Sequence, residues 1–319
     1  MRDQQFYGHG KLLLTGEYFV LEGAVALGLP TSVGQSLNVK YRHSNQPTLK
    51  WTALDHLGKP WFESVMELWH FDAQTTTDQA VSEDLQKILL QVRRQNPHFL
   101  RDEMDVMVET KLEFPREWGL GSSSSLLYNI AQWAYIGPFD LAMKSFGGSG
   151  YDIACAQSMG PIQYQLVDSL PRWRPVEFNP SFHDSLWLLY LGKKRDTRDA
   201  IASFKSLSES ERKGPVDLVS SLTREMTTAA DLRHFDRVIR EHEEVISKAL
   251  NVTTIKSELF SDFWGEVKSL GAWGGDFALV TSARDFSETR EYFTQKGFET
   301  LISYKELVCE PPKDISYAP

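Results

Sequence analysis

A glycine- and serine-rich segment near the middle of the chain has the composition of an anion-binding loop. Gly119, Leu120 and Gly121 come directly before four serines, Ser122 to Ser125. Glycines allow a tight turn and let backbone N–H groups approach an anion, and a helix that follows begins with about half a positive charge. Serine hydroxyls can bind phosphate oxygens or a hard cation such as Mg²⁺. The segment therefore predicts a site for a nucleotide phosphate, with a flexible serine linker as the alternative.

The segments on either side of this loop predict a strand before it and a helix after it. Residues 106–112 alternate apolar and polar side chains with the period of a β-strand, and this strand ends before Pro115. Apolar residues in 126–134 recur at helical spacing directly after the serines. A linker would not need this arrangement. The loop is not a P-loop, because the spacing Gly-x4-Gly-Lys-Ser/Thr is missing.

Three further groups of side chains suit phosphoryl chemistry. Asp152, in the sequence GSGYDIA, could act as a general base, with a helix cap or turn residue as the alternative. Lys11 and Glu17 bracket the first strand, and each taken alone could be a solvated surface residue. Lys193 and Thr197 belong to the basic turn GKKRDTR, which could bind an anionic acceptor or simply be solvated.

Composition limits the classes of protein to which the chain can belong. Of 319 residues, 41% are hydrophobic and 24% are charged, which is ordinary globular usage and at this length predicts two domains. The formal net charge of −9 has the wrong sign for a general nucleic-acid binder. An anionic ligand therefore needs a locally basic pocket or backbone N–H groups. Cys155 and Cys309 are too few for a disulfide framework.

The apolar runs are too short for a membrane span of roughly 18 residues. The N-terminal residues also lack the continuous apolar core of a secretory signal. We therefore expect a cytoplasmic protein, monomeric or homodimeric, that acts on a small anionic molecule and has no membrane or nucleic-acid partner.

The remaining segments predict alternating strands, helices and turns. Residues 45–78, with an edge-strand candidate LKWTAL, are expected to form an irregular excursion. Ser82 is expected to cap a helix that stops at Pro97. Residues 215–270 have mostly helical periodicity, and GAWGGDFAL is a further glycine-rich loop that leads into a strand. Three prolines between residues 166 and 187 indicate the boundary between the domains.

Taken together, these loops resemble the motifs of a known enzyme family. GHGKLLLTGEYFVLEG is similar to the first motif of the GHMP kinases, a family that includes galacto-, homoserine, mevalonate and phosphomevalonate kinases. WGLGSSSS resembles their nucleotide-binding motif, and GAWGGDFAL resembles their third glycine-rich motif. Order and spacing match over nearly the whole chain. Within the family, GEYFVLEG, GSGYDIA, GKKRDTRDAI and the Gly-Gly-Asp of the third motif are most similar to the phosphomevalonate kinases.

The resemblance implies a fold and an activity. Residues 1–168 would form an N-terminal nucleotide-binding domain like domain 2 of ribosomal protein S5, and residues 169–319 a ferredoxin-like C-terminal domain, in an α+β chain. The activity implied is transfer of the ATP γ-phosphate, with Mg²⁺, to a small acceptor such as phosphomevalonate. The alternatives are a kinase for mevalonate, an amino alcohol or a sugar, and a family member that binds a nucleotide or metabolite without catalysis.

The resemblance also implies roles for individual residues. Asp152 corresponds to the catalytic aspartate, and Lys11 to the lysine that stabilises its charged form and contacts the transferring phosphoryl group. Ser123 corresponds to the magnesium ligand. The residues implied in nucleotide binding are Gly119, Leu120, Gly121, Ser122, Ser123 and Ser124. The residues implied in acceptor binding are Glu17, Tyr18, Ser149, Gly150, Lys193, Thr197, Gly274, Gly275 and Asp276.

A few positions depart from the family pattern. Trp273 stands where the third motif usually carries glycine, so its ring could narrow the acceptor pocket or stack on another group. Ser124 and Ser125 replace the customary alanines, a change that we expect to be tolerated. Leu141 stands where mevalonate kinases carry a magnesium-liganding glutamate, and the adjacent Asp140 could substitute for it.

Overall fold

The computed structural model describes residues 3–101, 104–192, 202, 204–271, 273 and 275–310. The chain divides into two compact units, each assembled from separated stretches of sequence. The first unit comprises Met1–Gly10, Val33–Arg116 and Gly121–Gln157, and the second comprises Lys11–Ser32, Glu117–Leu120 and Ser158–Pro319. The domain boundary implied after residue 168 stays a prediction. None of the described helices has both the length and the apolar character needed to cross a membrane.

The described secondary structure is mixed, with strands and helices in both units. The strands are β1 Gln4–Thr15, β2 Ala26–His43, β3 Thr48–Leu54, β4 Pro60–Glu67, β5 Ala73–Thr76, β6 Met104–Leu112, β7 Ile162–Val167, β8 Leu170–Pro175, β9 Leu186–Tyr190, β10 Val267–Ser269, β11 Phe277–Thr281 and β12 Leu301–Ser303. The helices are α1 Gln79–Gln95, α2 Ser122–Trp133, α3 Pro138–Ser145, α4 Tyr151–Gln157, α5 Glu209–Lys213, α6 Val216–Thr227, α7 Leu232–Leu250, α8 Ile255–Leu259, α9 Phe286–Gln295 and α10 Tyr304–Leu307.

The first unit contains a sheet whose strands lie in the order β5-β4-β3-β6-β2. β3 and β6 are parallel, and the other neighbours are antiparallel. The alternation predicted for residues 106–112 is confirmed, since every second side chain of β6 from Val106 to Leu112 is buried. These side chains share a hydrophobic core with α1 and α2, through residues such as Leu89 and Ile130. The core fixes α2, and with it the loop before it, against the sheet.

The second unit contains an antiparallel sheet with the strand order β10-β11-β9-β12. Along the chain, β9 is followed by α5 to α8, then by the neighbouring strands β10 and β11, then by α9 and β12. This succession is the βαββαβ arrangement of a ferredoxin-like domain, as the motifs imply. In the same unit, residues Ala26–Gly28 of β2 pair with β7, and β7 pairs with β8.

Two expectations about the elements are wrong. Residues 45–78 form β3, β4 and β5 instead of an irregular excursion, because alternate side chains such as Trp51 and Phe62 are buried in the core. The strand predicted at LKWTAL is present as β3, but it lies between β4 and β6 instead of at an edge. Ser82 does not cap a helix, since α1 begins earlier and Asp78 accepts the hydrogen bond from Val81 N–H at 3.1 Å. Part of the proline-rich segment is the strand β8, which pairs with β7, and the domain boundary predicted in that segment stays a prediction.

Candidate functional site

The glycine loop ends in a helix start whose geometry only glycine adopts readily. Gly119 and Gly121 have φ angles of 63° and 86°, in the left-handed region. Gly121 is the N-cap of α2, and its carbonyl accepts hydrogen bonds from Ser124 N–H and Ser125 N–H. The first N–H groups of a helix lack intrahelical partners and carry the positive end of the helix dipole. The predicted strand, glycine loop and helix are therefore present, and the helix start suits an anion.

The four serines of α2 have different surroundings. Ser123 is exposed and Ser122 is half-buried, so both hydroxyls can meet a ligand. Ser125 is fully buried, and its Oγ donates to Gln35 Oε1 at 2.9 Å. Ser124 is also buried and donates a hydrogen bond to Asp152 Oδ2. Ser124, which stands where the family usually has alanine, thus contacts the expected catalytic carboxylate. This contact was not predicted from the sequence.

Asp152 lies in the first turn of α4 and is half-buried. Its Oδ1 accepts a hydrogen bond from Ile153 N–H at 3.1 Å, and its Oδ2 accepts the bond from Ser124. The carbonyl of Gly150, at φ 83°, accepts the N–H of Ile153 at 3.1 Å. Ser149 is buried beside this turn. The carboxylate is therefore fixed in direction yet still accessible, as a proton acceptor needs to be.

The start of α2 also provides the kind of ligand that Mg²⁺ prefers. Ser122 and Ser123 offer hydroxyl oxygens, and Asp152 offers a carboxylate in the same unit. Where the chain is described, no group of three or more His, Cys, Asp or Glu residues could hold a metal ion. This donor set still fits Mg²⁺, because that ion is usually held by one or two protein oxygens together with substrate phosphates.

The expected second magnesium ligand has no support in the first unit. Leu141 lies in the hydrophobic core, so no carboxylate replaces the glutamate at that position. Asp140 is exposed on α3. A role for Asp140 as a metal ligand stays a prediction.

In the second unit, Lys11 and Asp276 both contact the glycine loop. Lys11 Nζ donates to the Gly119 carbonyl at 3.0 Å, and Lys11 N–H donates to the Leu120 carbonyl at 2.9 Å. A Cβ atom on Gly119 would lie 1.8 Å from Asp276 Oδ2. The carboxylate of Asp276 therefore packs directly on the backbone of Gly119, and a larger residue at that position would displace it. Gly275 is buried beside Asp276.

Glu17 is almost fully buried, with 1% of its surface exposed. Lys268, on β10, donates a hydrogen bond from Nζ to Glu17 Oε1. Burial raises the pKa of Glu17, and the charge and hydrogen bond of Lys268 oppose that shift. The alternative of a solvated glutamate is therefore wrong, and binding of an acceptor by Glu17 stays a prediction. Lys268 was not singled out in the sequence, although it lies just before the third glycine-rich motif.

Tyr18 and Trp273 contact each other in the second unit. The hydroxyl of Tyr18 accepts a hydrogen bond from Trp273 N–H at 3.1 Å. The indole of Trp273 is buried in a hydrophobic cluster with Tyr18, Phe19 and Phe204, and its Nε1 donates to the Thr253 carbonyl at 3.3 Å. The large ring at the customary glycine position is therefore part of a core. Three residues of the predicted acceptor set, Lys193, Thr197 and Gly274, lie outside the described residues.

Comparison with known proteins finds similarity in structure. No protein-family model matches the chain, and no curated protein matches it in sequence. The mevalonate kinase of Methanococcus jannaschii has a TM-score of 0.70 at 15% identity, over 94% of this chain and 97% of that one. The phosphomevalonate kinase of Streptococcus pneumoniae, in complex with phosphomevalonate and AMPPNP, has a TM-score of 0.66 at 15% identity, over 94% and 99%. The galactokinase of Lactococcus lactis, complexed with galactose, has a TM-score of 0.66 at 13% identity, over 98% and 95%.

These neighbours define the class of fold to which the chain belongs. They match almost the full length of this chain and of their own chains. The chain has the GHMP kinase fold, which confirms the fold that its three glycine-containing motifs imply.

Proposed function

We propose that the protein is an ATP-dependent kinase that phosphorylates a small molecule. The observation that carries this proposal is the hydrogen bond from Ser124, in the first turn of α2, to the carboxylate of Asp152. It joins a helix start suited to a nucleotide phosphate with a carboxylate that can accept a proton. The similar solved structures are a mevalonate, a phosphomevalonate and a galactose kinase, which supports the same class of activity.

In the proposed reaction, an oxygen of the acceptor attacks the γ-phosphorus of ATP in line with the leaving group. In phosphomevalonate this oxygen belongs to the phosphate group that the acceptor already carries, and in mevalonate or a sugar it belongs to a hydroxyl. The new O–P bond forms as the bond between the γ-phosphorus and the bridging oxygen breaks, and ADP leaves with the electron pair. Asp152, held in direction by Ser124 and Ile153 N–H, orients the attacking oxygen and accepts its proton where it carries one. The N–H groups at the start of α2 stabilise the negative charge on the phosphate oxygens.

Two further roles in this proposal come from the family resemblance. Ser123 is proposed as the protein ligand of Mg²⁺, which when bound would neutralise charge on the nucleotide phosphates. Lys11 is proposed to contact the transferring phosphoryl group, and its hydrogen bond to the Gly119 carbonyl limits the directions that its ammonium can take.

We further propose phosphomevalonate as the acceptor. The similarity of GSGYDIA, GKKRDTRDAI and the Gly-Gly-Asp of the third motif to phosphomevalonate kinases supports this choice. Lys193 and Thr197 are then the residues proposed to bind the phosphate group that the acceptor already carries, since a lysine can form a charge-assisted hydrogen bond with phosphate.

The experiment is to measure ADP formation by the purified protein with a panel of acceptors, namely phosphomevalonate, mevalonate, an amino alcohol and galactose. We expect Mg²⁺-dependent and acceptor-dependent ADP formation, with the highest kcat/KM for phosphomevalonate. A preference for mevalonate would contradict phosphomevalonate as the acceptor but would still support a small-molecule kinase. Nucleotide binding without ADP formation from any acceptor would support a non-catalytic binding protein instead.

A further inference from the structure

Four ionisable side chains form a buried cluster in the second unit. Lys268 and His242 are 0% exposed, Glu17 is 1% exposed and Glu243 is 4% exposed. Lys268 Nζ donates to Glu17 and to the Ser269 carbonyl, and lies 3.5 Å from Glu243 Oε1. His242 Nε2 lies 3.5 Å from Glu17 Oε2. A buried charge is costly unless it is paired, so the charges of these groups must balance.

The charges balance when Glu17 and Lys268 are ionised and the other two groups are neutral. Burial raises the pKa of Glu243 to about 8, with the nearby charge of Lys268 opposing the shift and that of Glu17 adding to it. Burial, together with the charge of Lys268, holds the pKa of His242 well below its usual range. His242 Nε2 accepts the N–H of Gly16 at 3.3 Å, which places the imidazole proton on Nδ1. At neutral pH the cluster is thus one ion pair with two neutral neighbours.

This ion pair joins two loops that carry predicted acceptor residues. We call residues 16–23 the first loop, and the described residues among 270–276, which are 270, 271, 273, 275 and 276, the third loop. Glu17 belongs to the first loop, and Lys268 lies on β10, two residues before the third loop. A second connection runs from Trp273 N–H, in the third loop, to the hydroxyl of Tyr18, in the first. Two adjacent residues of the first loop therefore bind the third loop or the strand that leads into it.

The third loop in turn contacts the nucleotide-binding segment within the same unit. Its last residue, Asp276, packs on Gly119, and its carbonyl accepts Leu191 N–H at 2.8 Å. This hydrogen bond to Leu191, just after β9, holds Asp276 against Gly119 independently of Lys268. Both side chains of the buried pair are fully buried in this unit.

We propose that Lys268 is a positioning residue, which holds the first and third loops in one arrangement through its ion pair with Glu17. The proposal rests on the proposed kinase function, because the two loops carry the residues expected to bind the acceptor. Lys268 itself touches no reacting group. Its loss should therefore affect acceptor binding and turnover far more than nucleotide binding.

The test uses the double variant Glu17→Gln/Lys268→Met in the full chain. Replacing both members of a buried ion pair with neutral side chains of similar size is often tolerated, whereas removing one member leaves a charge without its partner. We expect hydrogen exchange in peptides covering residues 12–24 and 262–271 to be faster by on the order of 10-fold, with α1 unchanged. We also expect the KM for the acceptor to rise by on the order of 10-fold while the Kd for the nucleotide stays constant.

The matched control is Lys305→Met, which removes a lysine paired with Asp184 at 3.0 Å in the second unit, outside both peptides. This variant should keep wild-type exchange in both loop peptides and wild-type kinetics. If the double variant does not fold, Glu17→Gln alone carries the test, because Glu243 can then ionise as the partner of Lys268. The proposal would be overturned if a folded variant kept wild-type hydrogen exchange in both loop peptides. It would also be overturned if the variant bound the nucleotide more weakly while its KM for the acceptor stayed unchanged.

Hydrogen exchange separates this proposal from the proposed function. If the wild-type protein phosphorylates no acceptor but both loops exchange faster in the variant, the kinase assignment fails and the loop-holding role of Lys268 stands. If the wild-type protein is an active kinase and the loops exchange at the wild-type rate in the variant, the kinase assignment stands and the loop-holding role of Lys268 fails.

Discussion

Asp152 has surroundings that favour one direction for its carboxylate. Ser124 and Ile153 N–H each donate to a different oxygen, so rotation of the carboxylate would break two hydrogen bonds. The side chain is half-buried and still open to an acceptor.

Asp152→Asn tests whether this carboxylate takes part in the reaction. The amide keeps the size of the side chain but cannot accept the proton, so kcat should fall by on the order of 10²-fold or more while ATP affinity changes little. Steady-state kinetics and nucleotide titration measure the two quantities. Asp84→Asn, at an exposed position on α1 in the same unit, is the matched control. A wild-type kcat in Asp152→Asn would show that Asp152 has only a structural role.

Single residues also show where sequence reasoning fails. The helix start that carries the serines could be predicted, because the glycines and the apolar spacing that define it lie within a few residues. Glu17 could not be assigned to a buried ion pair, because its partner Lys268 is 251 residues away in the chain. Without that partner, the sequence around Glu17 is compatible with a solvated surface residue.

At the scale of elements, local patterns predicted β6, α2 and the loop between them, because alternation and helical spacing arise within a few residues. The strand at LKWTAL was also predicted, although as an edge strand, whereas β3 pairs with both β4 and β6. β4 and β5 were not predicted, because threonines and turn formers obscure their pattern. These strands are stabilised by pairing with their neighbours, which is not visible locally.

The glycine loop itself makes an element-scale prediction through Gly119. In Gly119→Ala, the new methyl group would meet Asp276 Oδ2 and the backbone would keep a φ of 63°. The free energy of unfolding should fall by roughly 1–3 kcal/mol, and nucleotide affinity should also fall because the loop must shift. Urea unfolding and nucleotide titration measure these effects.

Gly297→Ala provides the control for Gly119→Ala. Gly297 has a φ of 88° in the same unit, and a Cβ atom there would meet no other atom within 4 Å. Gly297→Ala therefore introduces the same backbone strain as Gly119→Ala, but no steric overlap of the new methyl group with another residue. Equal destabilisation by the two substitutions would show that the contact between Asp276 and Gly119 contributes nothing.

At the scale of the whole molecule, the buried cluster should make stability depend on pH. Glu243 has a pKa of about 8 in the folded protein against an ordinary value of 4.5, so the folded state binds its proton more tightly. Its contribution to stability is complete below about pH 4.5 and is lost as the pH rises through 8. Lys268 and Glu17 are the charged groups that act on it.

Glu243→Gln should remove this contribution, because the amide stays neutral at every pH. The free energy of unfolding of the variant minus that of the wild type should therefore increase between pH 5 and pH 9 by at least about 1 kcal/mol. Urea unfolding at several pH values measures the difference. Glu241→Gln, a half-exposed position on the same helix, should show no comparable trend. A difference that is flat with pH would mean that Glu243 is already ionised at pH 5.

The whole fold could be predicted from the sequence because three motifs occur in a fixed order along the chain. That order specifies the ferredoxin-like succession β9, α5 to α8, β10, β11, α9 and β12 as well as the helix start at Gly121. The motifs did not indicate that Trp273 would be buried with Phe204 in a core. Such packing depends on residues that no motif contains.

The interleaving of the two units has a consequence for the synthesis of the protein. Val25 N–H donates to Ser220 Oγ at 2.9 Å, yet 195 residues separate these partners within the second unit. At ordinary translation speeds, roughly 10 to 40 s pass between the appearance of one and the other. During that time residues 12–14 and 24–29, all buried in the folded structure, leave the ribosome without their later partners. The nascent chain therefore presents an apolar N-terminal segment, and we expect a chaperone that binds extended apolar peptides to assist its folding in the cell.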